Sequence, residues 1–159
     1  MSVKENVHHD QDPLVRVCEL LNRHQARYIV VGAQACILHG LVRTTEDVDI
    51  LIEESEENYT HVIAALSEME DHAAAELTPL DLAEHVVVKV ADEVEVDISR
   101  RAWKVSYADA IVSALSTEIE GVRVPYASLE TLMATKETYR EQDRADLLRL
   151  RELKRRQAE

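Results

Sequence analysis

The chain has 159 residues, 46% of them hydrophobic, with one Trp and no Phe, which suits one domain with a core of Leu, Val, Ile and Ala and excludes extensive disorder. Its 31 acidic and 18 basic side chains give a formal charge of −13; such a surface repels a phosphate backbone and excludes broad nonspecific nucleic-acid binding, but not a nucleotide at a local positive or metal-charged site. No apolar run could span a bilayer and the polar start, Met1 to Asp12, has no signal-peptide core, so a cytoplasmic protein without membrane partners is expected.

Residues 1–11 read as a flexible polar start containing His8 and His9. Asp12-Pro13 is a helix-start signal, and Leu14, Val17, Cys18 and Leu21 recur at helical spacing to about Gln25. A strand follows from Arg27 to Val31, apolar as in strands buried on both faces. Gly32 ends it, and Ala33 to His39 forms a short helix stopped by Gly40. The loop through Arg43-Thr44-Thr45 leads into a second strand, Asp47 to Ile52, and Ser55 caps a helix to about Met69. Asp71 to Glu84, alanine-rich and broken at Pro79, reads as a variable connection. Val86 to Val90 and Val94 to Ile98 form a hairpin around Ala91-Asp92-Glu93. Ser106 with Asp109 makes a capping box for a helix over Ala110 to Leu115, Glu120 to Val124 is a short strand closed by Pro125, and Ser128 starts a helix through about Arg140. A last helix runs from about Gln142. The expected architecture is α+β, a small mixed sheet packed with helices, with residues 1–159 as one domain and 128–159 closing it as a helical pair.

Side chains alternate faces along a strand, so Asp47 and Asp49 project together while Val48, Ile50 and Ile52 point the other way. Like charges at such spacing oppose strand stability unless a cation lies between them. A second acidic face, Glu93, Glu95 and Asp97, occurs on the hairpin arm. Neighbouring strands would bring three carboxylates together, the hard oxygen donor set that suits Mg²⁺ and two-metal phosphoryl transfer. The alternative is a pair of solvated acidic strand faces. Upstream, Gly32 lets backbone approach a ligand closely, and the amides of Ala33 and Gln34 at a helix start suit a phosphate; a plain strand-to-helix corner reads the same way. Arg43, Thr44 and Thr45 add a guanidinium and two hydroxyls, or form a polar loop whose Arg43 neutralises the aspartates. Cys18 and Cys36 lack metal-ligand spacing and read as buried thiols. The cationic run Arg149, Arg151, Lys154, Arg155 and Arg156 is a solvated helix end or an RNA-contacting patch.

The pattern Val31-Gly32-Ala33-x-Ala35, then His39-Gly40-x-x-Arg43-x-Thr45-x-Asp47-Val48-Asp49-Ile50, resembles the signature of minimal nucleotidyltransferases of the DNA polymerase β-like superfamily, closest to the AbiEii-type toxin group. Pro125, Leu129-Glu130-x-Leu132, Lys136, Arg140, Asp143 and Asp146 are similar to that family's closing helices, so the resemblance spans about Tyr28 to Leu150. It implies the nucleotidyltransferase fold, with Asp47 and Asp49 on two Mg²⁺ ions (Mn²⁺ as an alternative) and Asp97 as third carboxylate. It also implies Gly32, Ala33, Arg43, Thr45 and Lys136 on the nucleotide; a solvated lysine beside Glu137 is the other reading of Lys136. The implied reaction moves an NMP from an NTP to a hydroxyl of RNA, such as tRNA, or of protein, as in a toxin–antitoxin component. Ala33 departs from the family's usual Gly or Ser, which keeps open a non-catalytic nucleotide-binding or regulatory relative. A metal-dependent phosphohydrolase is disfavoured because its adjacent His-Asp steps occur only at His9-Asp10 and Asp71-His72, while His39, His61 and His85 are scattered.

Overall fold

In the computed structural model, residues 11–138 and 140–158 are described; the polar start with His8, His9 and Asp10 lies outside the described residues. In chain order the elements are α1 (Pro13–Arg23), β1 (Tyr28–Val31), α2 (Gly32–Leu38), β2 (Val48–Ile52), α3 (Glu56–Leu66), α4 (Pro79–Glu84), β3 (Val87–Ala91), β4 (Glu95–Ser99), β5 (Arg101–Ala102), β6 (Val105–Ser106), α5 (Tyr107–Ile111), β7 (Leu115–Ile119), β8 (Val122–Tyr126), α6 (Leu129–Thr135) and α7 (Glu141–Gln157). Six strands make one mixed sheet in the order β3-β4-β2-β1-β8-β7, and β5 and β6 form a separate ribbon. β1 pairs antiparallel with β2 and parallel with β8, while β2 pairs parallel with β4. This is the α+β architecture expected from the sequence.

Local chemistry sets the element boundaries. Asp12 Oδ1 accepts from the Leu14 amide at 2.8 Å, and Ser55 and Ser128 cap α3 and α6 in the same way. Asp71–Glu84, expected as a connection, instead carries a 3₁₀ turn (Ala73–Glu76) and α4, where Thr78 and Asp81 form a capping box and Pro79 opens the helix rather than breaking it. The Ser106–Asp109 capping box is present, but its helix stops at Ile111, and Leu115 begins β7. Glu120 and Gly121 both have positive φ (52° and 80°), the backbone of a two-residue hairpin turn, so β7 and β8 pair around them. Pro125 therefore lies inside β8 instead of closing it; β8 meets β1 at a single register pair, Val30 and Tyr126, so the missing N–H interrupts little ladder.

All four residues of β1 are buried, together with Val48, Ile50, Leu51 and Ile52 of β2. α1 packs on α3, β8 and β2, whereas α2 packs on β1 and β2 and against α6, which leads on to α7. The same core takes in Val96 and Ile98 of β4, so their neighbours Glu95 and Asp97 are turned toward the opposite face.

Asn58 holds the far ends of β1 and β2. Only 2% exposed, it accepts from the Arg27 amide at 2.7 Å and donates to the carbonyls of Arg27 (2.9 Å) and Glu53 (3.0 Å). Asn58→Ala leaves these groups without partners and is expected to cost about 2–3 kcal/mol. The check is a lower urea midpoint with an unchanged slope; an unchanged midpoint would contradict this role.

Candidate active site

Register brings the acidic side chains together. Val31 of β1 faces Asp49 of β2, and Asp49 lies beside Asp97 of β4 on one face of the sheet. Lys89 of β3 stands opposite Asp97, with its ammonium 3.6 Å from Asp97 Oδ1 and 3.5 Å from Glu95. Asp47 lies just outside β2 and is exposed; its carbonyl accepts from Gln34 Nε2 (3.4 Å) and from the Thr45 hydroxyl (3.5 Å) instead of joining the ladder. Glu93 leaves the acidic face altogether. It sits in the β3–β4 turn, ion-paired at 3.2 Å with the buried Arg16 and accepting from the Glu70 amide.

Gly32 makes this arrangement sterically possible. Its φ is 66°, and a Cβ there would fall 2.1 Å from Asp49 Oδ2 and 3.0 Å from Asp49 Cβ. The carboxylate thus occupies the volume of the missing side chain. α2 begins at Gly32 with no side-chain cap, so its first amides are not taken by a capping group.

A second charged cluster comes from the C-terminal helices. Lys136, at the end of α6, lies 3.0 Å from Asp146 Oδ2 and 3.4 Å from Asp143 Oδ1, and Arg43 approaches Asp146 Oδ2 at 3.8 Å. Arg43 therefore pairs with Asp146, and Lys136 is pinned at 18% side-chain exposure rather than solvated beside Glu137. Burial alone would raise the Asp143 pKa, but hydrogen bonds from Thr138 and Arg140 and the charge of Lys136 hold it below the usual carboxylate range. In α7, Lys154 pairs with Glu130, and Arg155 and Arg156 pair with Glu152. Arg149 donates to the Val42 carbonyl at 2.8 Å, tying α7 to the loop before Asp47.

Burial, then the neighbouring Asp97 carboxyl, then the charge of Asp47 push Asp49 up to about 7, against the pull of Lys136. Among the described residues, two buried side-chain oxygens make no hydrogen bond: Asp97 Oδ1, and Asp146 Oδ2, whose ion pairs lack hydrogen-bond alignment. Asp97 Oδ1, without a hydrogen bond and 3.6 Å from the Lys89 ammonium, stands beside a carboxyl of raised pKa, and hard oxygen donors of this kind fit a divalent cation. Among the described residues no three His, Cys, Asp or Glu side chains close into a metal-binding group, so substrate phosphate and water would complete the coordination, as is common for Mg²⁺. Two of the scattered histidines are engaged elsewhere: His39 meets the Ala127 carbonyl at 2.8 Å and His85 that of Asp81 at 2.9 Å. Both cysteines are free and buried, with burial pushing the Cys18 thiol up to about 12. The sequence pointed to Gln34 only for its backbone amide and not to Lys89; the signal for Lys89 is that it is the one cation on the hairpin arm opposite the acidic arm.

A family profile described as a nucleotidyl transferase of unknown function (DUF2204) matches residues 10–159. The chain belongs to this nucleotidyl transferase family. A solved protein from Thermotoga maritima, provisionally named a nucleotidyltransferase, superposes with a TM-score of 0.56 at 18% identity over 94% of this chain and 93% of its own; at that identity it supports the fold. No curated protein matches the chain significantly. Among the described residues no helix is long and apolar enough to cross a membrane.

Two outcomes are expected for this cluster of carboxylates. The Asp49 carboxyl titrates near 3.8 when unfolded and near 7 when folded, so between those values the folded chain holds a proton that the unfolded chain has released. Unfolding free energy in EDTA should therefore fall as pH rises from about 4 to about 7. Asp49→Asn should lose that slope; an equal slope in the variant would contradict the assignment. Gly32→Ala, which forces Asp49 out of its place, should destabilise the fold by about 1–3 kcal/mol from φ alone and return the Asp49 titration, followed by NMR, toward the ordinary carboxylate range.

Proposed function

We propose that the chain is a Mg²⁺-dependent enzyme, working as a single domain, that transfers a nucleoside monophosphate from an NTP to an acceptor hydroxyl and releases pyrophosphate. The observation that carries this reading is the lateral register of Asp49 with Asp97 beside the Gly32 turn. Asp47, Asp49 and Asp97 would hold the metal, two Mg²⁺ ions or Mn²⁺ in their place, which when bound neutralises phosphate charge and lowers the pKa of the acceptor hydroxyl.

The chain's own groups supply position and charge. The amides of Ala33 and Gln34 point phosphate oxygens toward the carboxylates, and Ala33 contributes its backbone without the hydroxyl that Gly-Ser turns add. Thr45 and Gln34 donate to the Asp47 carbonyl, tying the loop backbone beside the start of β2. Arg43 and Lys136 share Asp146 and are thereby preorganised as cations for the triphosphate. Asp97, whose buried Oδ1 makes no hydrogen bond and lies 3.6 Å from the Lys89 ammonium, would help activate the acceptor hydroxyl as a metal ligand.

The AbiEii-type resemblance rests on the motif and extends the reading to a cytoplasmic toxin–antitoxin component whose acceptor is tRNA or a protein hydroxyl. A second reading, a nucleotide-binding relative without transfer, is favoured by Ala33 and by the open, two-carboxylate centre among the described residues. One experiment separates them: labelled NTPs with Mg²⁺, total tRNA and the protein itself as acceptors, in wild type, Asp47→Ala, Asp49→Ala and Asp97→Ala. Transfer in wild type and a loss of about 10²–10³-fold in the Asp49 and Asp97 variants are expected. Unchanged transfer in those variants would sink the first reading, and tight NTP binding without pyrophosphate release would establish the second.

A further inference from the structure

The sheet register lays three charged residues in one row: Asp49 of β2 lies beside Asp97 of β4, and Asp97 stands opposite Lys89 of β3. Directly opposed residues project from the same side of a sheet. Val90 of β3 is buried in the core, so its neighbour Lys89 is turned to the carboxylate face. The row therefore ends in a cation on the edge strand. A lysine on an edge strand commonly serves only to discourage pairing with other chains. That role needs a charge held out in solvent, whereas this ammonium reaches back over the sheet, 3.6 Å from Asp97 Oδ1 and 3.5 Å from Glu95 Oε1.

Asp97 Oδ1 is also the buried oxygen that makes no hydrogen bond, so Lys89 is the cation beside the atom a metal ion would take. The charges of Asp97, then Glu95, and more weakly Asp47 raise the Lys89 pKa, and its ammonium is fully charged. Mg²⁺ approaches its oxygen ligands to about 2.0–2.1 Å. An ion at that distance and an ammonium on the same oxygen repel at short range, so the two compete for Asp97. Lys89 has room to leave. Its side chain is 56% exposed and its four-carbon stem is flexible. Glu95, on the same face of β4, gives it a second carboxylate to keep.

We infer that Lys89 is the built-in counter-ion of the carboxylate centre: it balances Asp97 in the absence of metal, and yields Asp97 to an arriving divalent cation while keeping Glu95. This rests on the reading of Asp49 and Asp97 as metal ligands. Because the ion must displace the ammonium, Lys89 lowers the affinity of the centre for a bare cation. A cation that arrives on a triphosphate brings negative charge with it, which offsets the repulsion. Lys89 thereby biases the centre toward metal carried by NTP over free metal. It is a positioning residue that acts on the metal through Asp97.

The test reads metal binding rather than turnover. Without nucleotide, Lys89→Met is expected to bind Mn²⁺ at Asp49 and Asp97, followed by broadening of their amide signals, about 2- to 5-fold more tightly than wild type. A gain in affinity cannot come from a damaged fold. Lys89→Arg, which keeps the charge, should bind Mn²⁺ no more tightly than wild type. Lys154→Met, which neutralises a lysine paired with Glu130, should leave the affinity unchanged. The increase in Mn²⁺ affinity on adding NTP should be smaller in Lys89→Met than in wild type. When wild type is titrated with Mg²⁺, the carbon NMR signal of Lys89 Cε should shift as the ion binds, while that of Lys154 stays in place. Equal Mn²⁺ affinity in wild type and Lys89→Met, or an unmoved Lys89 signal at saturating Mg²⁺, overturns the counter-ion and leaves the metal centre standing. If neither protein collects Mn²⁺ at Asp49 and Asp97, both fall.

Discussion

Two carboxylates on adjacent parallel strands, pressed against a glycine, constrain everything around them. Asp49 and Asp97 cannot be moved apart without shifting the β2–β4 register, and a one-residue slip of β4 would drive Val96 and Ile98 out of the core. The hydrophobic pattern thus enforces an electrostatic arrangement that is unfavourable in itself, as the raised Asp49 pKa records. Gly32 completes the constraint from β1, because any side chain there would occupy the space of the Asp49 carboxylate. The Lys89 ammonium, 3.6 Å from Asp97 Oδ1, offsets part of that repulsion.

The C-terminal helices answer with charge of the opposite sign. Lys136 and Arg43 come from elements far apart in sequence, and Asp146 brings them together. Asp143 is buried, yet hydrogen bonds and Lys136 keep it ionised. Cations fixed by buried carboxylates lose little further freedom on meeting a phosphate, and such preorganisation suits phosphoryl chemistry, in which positioning and charge stabilisation dominate. Arg149, bonded to the Val42 carbonyl, fastens the same helix to the loop that delivers Asp47.

Much of this was legible in the sequence because strand alternation has a period of two: Asp49 between Val48 and Ile50, and Asp97 between Val96 and Ile98, place themselves once the strands are recognised, whereas Asp47, expected on the same strand, lies just outside β2. The helix caps at Asp12, Ser55, Ser106 and Ser128 were equally readable, since each relies on a side chain bonding within a few residues of itself. What escaped depends on non-local packing or on unusual backbone. Glu120-Gly121 as a hairpin turn, and hence β7, needs positive φ at a glutamate. The salt bridge that removes Glu93 from the acidic face joins it to Arg16, 77 residues away. The 42%-exposed Trp103 on its own short ribbon carries no periodic signal at all.

The most direct test of the carboxylate pair is to locate a paramagnetic cation. With a net charge of −13, weak adventitious binding is expected across the surface, so location matters more than affinity. In an NMR titration with Mn²⁺, the amide signals of Gly32, Asp49 and Asp97 should broaden first, and NTP should lower the Mn²⁺ concentration needed to broaden them. Broadening that starts elsewhere, or that spreads evenly over the acidic surface and ignores NTP, would contradict the assignment of this pair as the metal centre.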